Sequence, residues 1–159
     1  TDLFKPQDRL EARRALGLGD GKIILFIGRI EALKGIDNLV QAMSLLKPQM
    51  DARLLVIGGD EHSQSEVERL RAMTREPGIA DAVEFLGTVA QSRLPLYYSA
   101  ADVSVVASYY ESFCLVILES LACGTPVSFA ISMLPIRDGM RFNRRLSPGR
   151  STRHPQTTS

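Results

Sequence analysis

The sequence has no tryptophan, only two cysteines and only two histidines, and aromatic residues make up 6% of it. The histidines, His62 and His154, have no cysteine or carboxylate partners at the spacing of a metal site, so we expect no zinc centre. Cys114 and Cys123 fall in one predicted helical segment, about 13 Å apart along a helix, which is too far for a disulfide. Neither a metal centre nor a disulfide framework is therefore expected.

Long hydrophobic runs are also missing. No apolar stretch approaches the roughly 20 residues that a membrane-spanning helix needs. The first residues, Thr1 to Pro6, lack the regions of a signal peptide. We therefore predict a cytoplasmic protein with no integral membrane segment.

The charge is unevenly distributed along a chain of ordinary composition, with 45% hydrophobic and 23% charged residues. Residues 140–159 contain five arginines and no acidic residue, so the rest of the chain is net acidic. This end also lacks hydrophobic periodicity. We predict one domain over residues 1–136, incomplete at its end, and a basic, disordered tail over residues 137–159. Because the tail lacks aromatic residues at stacking positions, a solvated tail is favoured over one that binds nucleic acid or an anionic membrane.

Short β-branched runs bounded by glycine alternate with longer stretches whose apolar residues are three and four positions apart, which is typical of alternating strands and helices. The predicted strands are 22–27, 53–57, 83–86, 102–106 and 126–130, and the predicted helices are 7–16, 36–46, 65–74, 91–99 and 115–123. The first two strands are apolar almost throughout, as in a parallel sheet covered on both faces. The pattern predicts an α/β fold with a Rossmann-like, doubly wound parallel sheet, which binds ligands at the carboxyl ends of its strands.

Two cations follow the first predicted strand. Arg29 and Lys34 lie between Gly28 and Gly35, immediately before a helix. Helix N-termini attract anions, and arginine is suited to phosphate oxygens, so a diphosphate is one natural ligand. Ordinary solvated loop cations are an equally good interpretation. No G-x-G-x-x-G follows this strand, which disfavours a nicotinamide-dependent oxidoreductase.

Two glycine-containing segments follow the second and third predicted strands. Gly58, Gly59 and Asp60 form the first, and Gly87 lies in the second, between Leu86 and Val89. Glycine permits a sharp turn and a close approach of a ligand. A plain tight turn is the favoured interpretation of the first segment, and the second has the same ambiguity.

Two glutamates, Glu111 and Glu119, bracket the start of the last predicted helix. Glu119 lies in a helix that is apolar nearly all round, so we expect that helix to be buried and its carboxylate to need a partner. Vicinal hydroxyls of a ligand would satisfy it, and so would a buried arginine or a backbone group. Glu111 is expected at the mouth of the site, or else as an exposed loop acid. The amides of Phe113, Cys114 and Leu115, in the first turn, are candidates to hold a phosphate.

Taken together, these segments resemble the C-terminal domain of the GT-B glycosyltransferases called glycosyl transferases group 1. The resemblance covers about four fifths of the chain. It is closest to the sucrose-phosphate-synthase-like branch. The segments that carry it are Phe4-Lys5-Pro6, Gly28-Arg29 with Lys34-Gly35, Val56-Ile57-Gly58-Gly59, Phe85-Leu86-Gly87, the run from Leu96 to Val103, Glu111 with Glu119, and the run from Ala122 to Val127.

The resemblance implies a retaining hexosyl transfer from a nucleoside-diphosphate sugar, most plausibly a UDP-sugar, to an acceptor hydroxyl. Arg29 and Lys34 would neutralise the diphosphate, Glu119 would receive the ribose hydroxyls, and Glu111 would lie beside the donor sugar. The nucleobase would pack by the loop near residues 86–89, and no metal or other cofactor would be needed.

An N-terminal acceptor domain would complete the active site, so the isolated chain is expected to be inactive. The main alternative is a non-catalytic nucleotide-binding module, and a Rossmann-type oxidoreductase is a weaker one.

Besides the N-terminal domain, which we expect to be missing from this chain, the sequence departs from the family pattern at two points. Cys114 stands where the family usually has glycine, so its side chain is expected to crowd the phosphates. After Val127, the usual glycine-rich loop and closing helix are replaced by an unrelated segment and the basic tail. The sequence therefore predicts a donor-binding domain that is truncated at its end.

Overall fold

The computed structural model describes residues 3–75, 77–109 and 114–129, in which helices and strands alternate. The helices are α1 (Arg9–Leu16), α2 (Ile36–Leu46), α3 (Gln64–Arg75), α4 (Leu94–Ala100) and α5 (Leu115–Ala122); the strands are β1 (Lys22–Ile27), β2 (Ala52–Ile57), β3 (Val83–Gly87), β4 (Val103–Val106) and β5 (Val127–Phe129). The predicted tail lies outside the described residues, as does Ala130 at the predicted end of the last strand.

The strands form one parallel sheet in the order β3-β2-β1-β4-β5. The central strand β1 pairs with β2 along its whole length, from Lys22 opposite Ala52 to Ile27 opposite Ile57. From the central strand β1, the chain adds β2 and β3 towards one edge of the sheet, and then adds β4 and β5 towards the other edge. This change of direction is the doubly wound α/β arrangement predicted from the sequence, which the structure confirms.

Each face of the sheet has its own hydrophobic core, because successive side chains of a strand point to opposite faces. In β2, Leu54 and Val56 pack with α2 and α3 on one face. Leu55 and Ile57 pack on the other face with residues of α4, including Tyr98. These four side chains of β2 are at most 3% exposed, which explains why the strand is apolar without interruption from Leu54 to Ile57.

Two predicted helices differ from the structure in more than their end residues. The first three residues of the predicted helix 91–99 form a separate 3-10 turn, Gln91–Arg93, and α4 begins at Leu94 with Pro95 in its first turn. The expectation that the last predicted helix is buried nearly all round is wrong. In α5, Leu115, Leu118 and Leu121 are 59%, 56% and 57% exposed. Only one side of α5 therefore packs on the described part of the protein.

Two glycines allow the loops at the carboxyl end of the sheet to approach closely. A Cβ atom at Gly35 would lie 2.2 Å from the carbonyl oxygen of Ala107, just after β4. A Cβ atom at Gly58 would lie 1.8 Å from the carbonyl oxygen of Gly28, just after β1. Both residues also have positive φ angles, of 65° and 136°. Glycine at these positions therefore holds the segments that follow β1, β2 and β4 against one another.

The opposite end of the sheet is held by a charged cluster around Asp102. Its carboxylate accepts hydrogen bonds from the Ile23 amide, at 2.8 Å, and from the Arg13 guanidinium, at 2.7 Å. Arg13 is 8% exposed and also donates to the carbonyl oxygen of Ala100. These contacts join α1 to the starts of β1 and β4. None of the helices in residues 3–75, 77–109 and 114–129 has the length and hydrophobicity to cross a membrane.

Candidate functional site

Two adjoining depressions lie at the carboxyl ends of β1, β2 and β4, where a parallel sheet of this type binds ligands. We call the first, of about 750 Å³, the larger cleft; it is lined by residues 27–32 and 57–60 together with His62, Ser63, Glu66, Thr88, Val89 and Leu94. We call the second, of about 170 Å³, the smaller cavity; it is lined by residues 26–29 and 114–116 together with Lys34, Val105, Val106 and Ser108. Residues 27–29 are common to both, so the two form one continuous site.

The smaller cavity brings together four of the residues predicted from the sequence. Arg29 and Lys34 line it from the segment between β1 and α2, and Cys114 and Leu115 line it from the start of α5. Lys34 ends the 3-10 turn Ala32–Lys34, whose carboxyl end is capped by Gly35. Two cations and the amino end of a helix therefore face one small cavity, which is a chemically suitable environment for an anion.

Arg29 is largely exposed, at 76% of its side chain, and its guanidinium lies 2.9 Å from the Glu31 carboxylate. An exposed ion pair of this kind is weak in water. A more highly charged anion can replace Glu31 as the partner of Arg29 at little cost. The ion pair therefore holds Arg29 beside the site and leaves its guanidinium available to a ligand.

The loop after β3 lies at the larger cleft. Thr88 and Val89 line the cleft itself, and the Thr88 hydroxyl donates to the carbonyl oxygen of Gly59 at 2.6 Å. Gly87, with φ 69°, lines a neighbouring depression that includes Gly58 and Gly59. Its positive φ allows the turn from β3 into this loop. Gly87 therefore positions the loop that lines the larger cleft without lining the cleft itself.

Asp60 has a structural role in the turn after β2. Its carboxylate accepts from the amides of His62 and Ser63, and the Ser63 hydroxyl accepts from the Asp60 amide, which makes a capping box for the turn Glu61–Ser63. The hydrogen bond from the His62 amide, with help from Ser63, holds the pKa of Asp60 below its ordinary value. The favoured interpretation of a tight turn fits this geometry.

Glu119 has a partner that the sequence argument did not consider. The hydroxyl of Tyr98, on α4, donates a hydrogen bond of 2.8 Å to Glu119 Oε2. Burial of Tyr98 and the neighbouring Glu119 carboxylate raise the pKa of the phenol well above its ordinary value, so it remains a hydrogen-bond donor. Burial, followed by the same carboxylate, raises the pKa of the Cys123 thiol. Glu119 is partly buried and lines neither depression directly, but Val116, one helical turn before it, lines the smaller cavity.

The segment that leads from β4 towards Glu111 is tied to the basic loop through Tyr109. The Tyr109 amide donates to the carbonyl oxygen of Leu33 at 3.0 Å, and the side-chain amide of Asn38 donates to the Tyr109 hydroxyl at 2.8 Å. These bonds fix the position of Leu33, which precedes Lys34, relative to the end of β4. Glu111 and Phe113 themselves lie outside the described residues.

Sequence reasoning thus identified the cations and the start of α5 but missed two tyrosines. Tyr98 falls within the segment from Leu96 to Val103 that carries the resemblance, and Tyr109 falls in none of those segments. A signal for Tyr98 was present, because a tyrosine in an otherwise apolar helix needs a partner for its hydroxyl. Within the described residues, no three His, Cys, Asp or Glu side chains are grouped as the ligands of a metal would be.

Comparisons with known proteins show what this chain is similar to. The family model described as glycosyl transferases group 1 matches residues 8–132. A D-inositol 3-phosphate glycosyltransferase of Acidothermus cellulolyticus is 48% identical over 134 residues, which are 80% of this chain and 30% of that protein. The corresponding protein of Mycobacterium leprae is 42% identical over 144 residues, 87% of this chain and 33% of that one. The chain therefore spans about a third of the length of these curated relatives.

Solved structures show the same similarity. Sucrose-phosphate synthase from Thermosynechococcus elongatus is 41% identical with a TM-score of 0.71, and the match covers 80% of this chain and 32% of that one. Anabaena Alr3699/HepE in complex with UDP-glucose is 26% identical with a TM-score of 0.72, covering 80% and 35%. The C-terminal domain of a group 1 glycosyltransferase (LpcC) from Francisella tularensis is 26% identical with a TM-score of 0.73, covering 86% and 73%.

Proposed function

Because the chain belongs to the glycosyl transferases group 1 family, we propose that it binds the nucleoside-diphosphate sugar from which a hexosyl group is transferred to an acceptor hydroxyl. The observation that carries this proposal is the grouping of Arg29, Lys34 and the start of α5 around one small cavity. Anabaena Alr3699/HepE, a protein of similar fold, has been solved with UDP and with UDP-glucose. A UDP-sugar is accordingly the donor that we propose.

In this proposal the diphosphate occupies the smaller cavity. As the bond between the sugar and the diphosphate breaks, negative charge develops on the leaving phosphate. Arg29 and Lys34 stabilise that charge, and the first-turn amides of α5 add hydrogen bonds and the helix dipole. Because this stabilisation is greater in the transition state than in the ground state, it lowers the barrier to transfer. Cys114 stands at the N-cap of α5, so its side chain borders the phosphates and limits how closely they approach.

The nucleoside then extends along the larger cleft. The loop that contains Thr88 and Val89 offers an apolar and hydroxyl-bearing wall for the base. Glu119 receives the ribose hydroxyls, since a carboxylate accepts hydrogen bonds from two adjacent hydroxyl groups. Glu111 is proposed to lie beside the donor sugar. Retention at the anomeric carbon is likewise proposed, on the basis of the family resemblance.

We also propose that the chain binds its donor without a metal ion, because Arg29 and Lys34 neutralise the diphosphate that a divalent cation would otherwise bridge. Binding of UDP should then be unchanged by EDTA. A loss of UDP binding on chelation, restored by magnesium or manganese, would contradict this part of the proposal.

Substitution of Lys34 tests the diphosphate assignment. Lys34→Ala should weaken UDP binding by about 1.5–3 kcal/mol, the range for hydrogen bonds to charged groups, and should leave uridine binding unchanged. The matched control is Lys22→Ala, because Lys22 is an exposed lysine at the opposite end of β1. Isothermal titration calorimetry of both variants with UDP and with uridine gives the comparison. Equal UDP affinities for the two variants would exclude the proposed phosphate site.

A further inference from the structure

Tyr98 is held rigidly where α4 packs against α5. The residue is 0% exposed. Its ring packs edge to face against Phe4, with ring centres 6.1 Å apart and an angle of 69° between the planes. Its carbonyl oxygen accepts a hydrogen bond of 2.6 Å from the Thr125 hydroxyl. Burial, the ring contact with Phe4 and the bond from Thr125 therefore hold Tyr98 in the core.

That hydroxyl acts on only one of the two oxygens of Glu119. It donates to Oε2 at 2.8 Å, and Oε1 has no hydrogen-bond partner in the described part of the chain. Within the described residues, the side-chain atoms that are both buried and without a hydrogen-bond partner are Asp37 Oδ1 and Ser104 Oγ. Glu119 Oε1 has no partner either, but it is not one of these buried atoms, so it is accessible to solvent. Oε2, in contrast, is occupied by the Tyr98 hydroxyl.

The pair lies on two helices that also contribute residues to the candidate site. Leu94, one helical turn before Tyr98 on α4, lines the larger cleft, and Val116, one turn before Glu119 on α5, lines the smaller cavity. Residues three or four positions apart lie on the same face of a helix. Tyr98 and Glu119 are thus each one helical turn from a residue that lines the candidate site, which brings the pair close to the nucleoside and the diphosphate of the proposed function.

We propose that Tyr98 is a positioning residue for Glu119: it holds Oε2, fixes the plane of the carboxylate, and leaves Oε1 directed to the ribose hydroxyls of the donor. This inference rests on the proposed function, because it presumes that Glu119 binds ribose. A carboxylate that is already oriented loses less conformational freedom when the ligand binds, and an oriented acceptor therefore binds more tightly than a mobile one. Tyr98 makes no contact with the donor itself.

A purely structural role for Tyr98 leads to a different expectation. In that case the hydroxyl would serve only to pair with a half-buried carboxylate, and its removal would lower stability without changing selectivity for the ribose hydroxyls. Comparison of UDP with 2′,3′-dideoxy-UDP separates the two roles, because the analogue keeps the base and the diphosphate but lacks both hydroxyls.

The variant to test is Tyr98→Phe in the full 159-residue chain. Its matched control is Tyr97→Phe, since Tyr97 is also buried on α4 but its hydroxyl makes no hydrogen bond within the described residues. We expect Tyr98→Phe to weaken UDP binding about three- to tenfold, as for the loss of one hydrogen bond, and to leave dideoxy-UDP binding unchanged. Tyr97→Phe should alter neither affinity. The ratio of the two affinities does not depend on the folded fraction, so it remains decisive if Tyr98→Phe is less stable.

Glu119→Gln distinguishes failure of this inference from failure of the proposed function. If the wild-type chain binds UDP and dideoxy-UDP equally, Glu119 does not bind ribose and both proposals fall. If the wild type prefers UDP and Glu119→Gln removes the preference, the ribose assignment stands. A Tyr98→Phe variant that then keeps the full preference would overturn only the positioning role.

Discussion

At the residue scale, the candidate site separates two kinds of recognition. Arg29 and Lys34 line the smaller cavity as charges, whereas Glu119 is a hydrogen-bond acceptor held by the hydroxyl of a buried tyrosine. Attraction between cations and a diphosphate is screened by salt, while hydrogen bonds from neutral hydroxyls depend on salt only weakly. Substitutions at these residues should therefore be distinguishable by ionic strength alone.

Glu119→Gln is predicted to weaken uridine and UDP binding alike, by about tenfold or more, since hydrogen bonds to a charged acceptor are lost in both cases. The dependence of UDP binding on salt should stay the same. Glutamine retains an oxygen that can accept from Tyr98, so the free energy of unfolding without ligand should change little. Titrations and urea unfolding of the variant provide the measurements. Unchanged uridine affinity beside a large loss of stability would show that Glu119 is structural.

Asp102 shows how a residue of a family motif can serve the fold instead of the site. Burial opposes its charge, but the Ile23 amide and the nearby cations, chiefly Arg13, outweigh burial and hold the pKa of Asp102 below its ordinary value. A carboxyl group with a lowered pKa in the folded state stabilises the protein above its unfolded pKa of about 3.9. That stabilisation is lost as the pH falls through the lower, folded-state pKa.

Asp102→Asn should therefore reduce the free energy of unfolding at neutral pH, by about 1–3 kcal/mol, because Arg13 is left buried without its anionic partner. The difference from wild type should shrink as the pH falls below about 4, because the unfolded wild-type chain then binds a proton at Asp102 before the folded protein does. Urea unfolding at pH 7, 5 and 3 measures this trend. Asp81→Asn is the control, since Asp81 pairs with Lys47 at the surface, where solvent weakens ion pairs. A difference that did not change with pH would mean that the charge of Asp102 is irrelevant.

At the element scale, the site depends on how closely the loops at the carboxyl end of the sheet approach one another. Gly35 and Gly17 provide a matched comparison, because their φ angles are 65° and 66°. A Cβ atom at Gly35 would lie 2.2 Å from the Ala107 carbonyl oxygen, whereas a Cβ atom at Gly17 would have no heavy atom within 4 Å. The two positions share the backbone strain of a left-handed conformation, and only Gly35 adds a steric clash.

Gly17→Ala should lower the free energy of unfolding by about 1–2 kcal/mol, the cost of a left-handed conformation for an L-residue. Gly35→Ala should lower the free energy of unfolding by about 1–3 kcal/mol more than Gly17→Ala does, which is the range for overpacking against a rigid neighbour. Urea unfolding of the two variants isolates the clash. If both variants lost the same stability, the close approach of the α2 start to the end of β4 would not be needed for folding.

Most elements of the fold could be predicted from the sequence, because their signals are local. The bounds of β1 and α2 agree with the structure, since β1 is a continuous apolar run and α2 has a clear helical period. Burial of α5 could not be predicted in the same way. Its residues are apolar on nearly every side, so the sequence does not indicate which side packs and which, with Leu118, is exposed. The partner of Glu119 was missed for a related reason, since contacts between α4 and α5 depend on tertiary packing.

At the scale of the whole molecule, the described residues form one sheet with one site at its carboxyl end. In the proposed function, as the family resemblance implies, the groups that hold the acceptor belong to a separate N-terminal domain. We therefore expect the 159-residue chain to bind UDP-glucose without transferring glucose. A radiolabelled UDP-glucose assay with a panel of polyol and sugar-phosphate acceptors measures this. Sustained transfer by the chain alone would show that the acceptor site lies within it.

The most direct test of the central claim is a calorimetric comparison of UDP with uridine on the wild-type chain at several salt concentrations. If the cations and the start of α5 form a diphosphate site, UDP should bind more tightly than uridine. That advantage should decrease as salt rises, because salt screens the attraction between Lys34 or Arg29 and the phosphates. A UDP affinity no higher than that of uridine, at low as well as at high salt, would contradict the account.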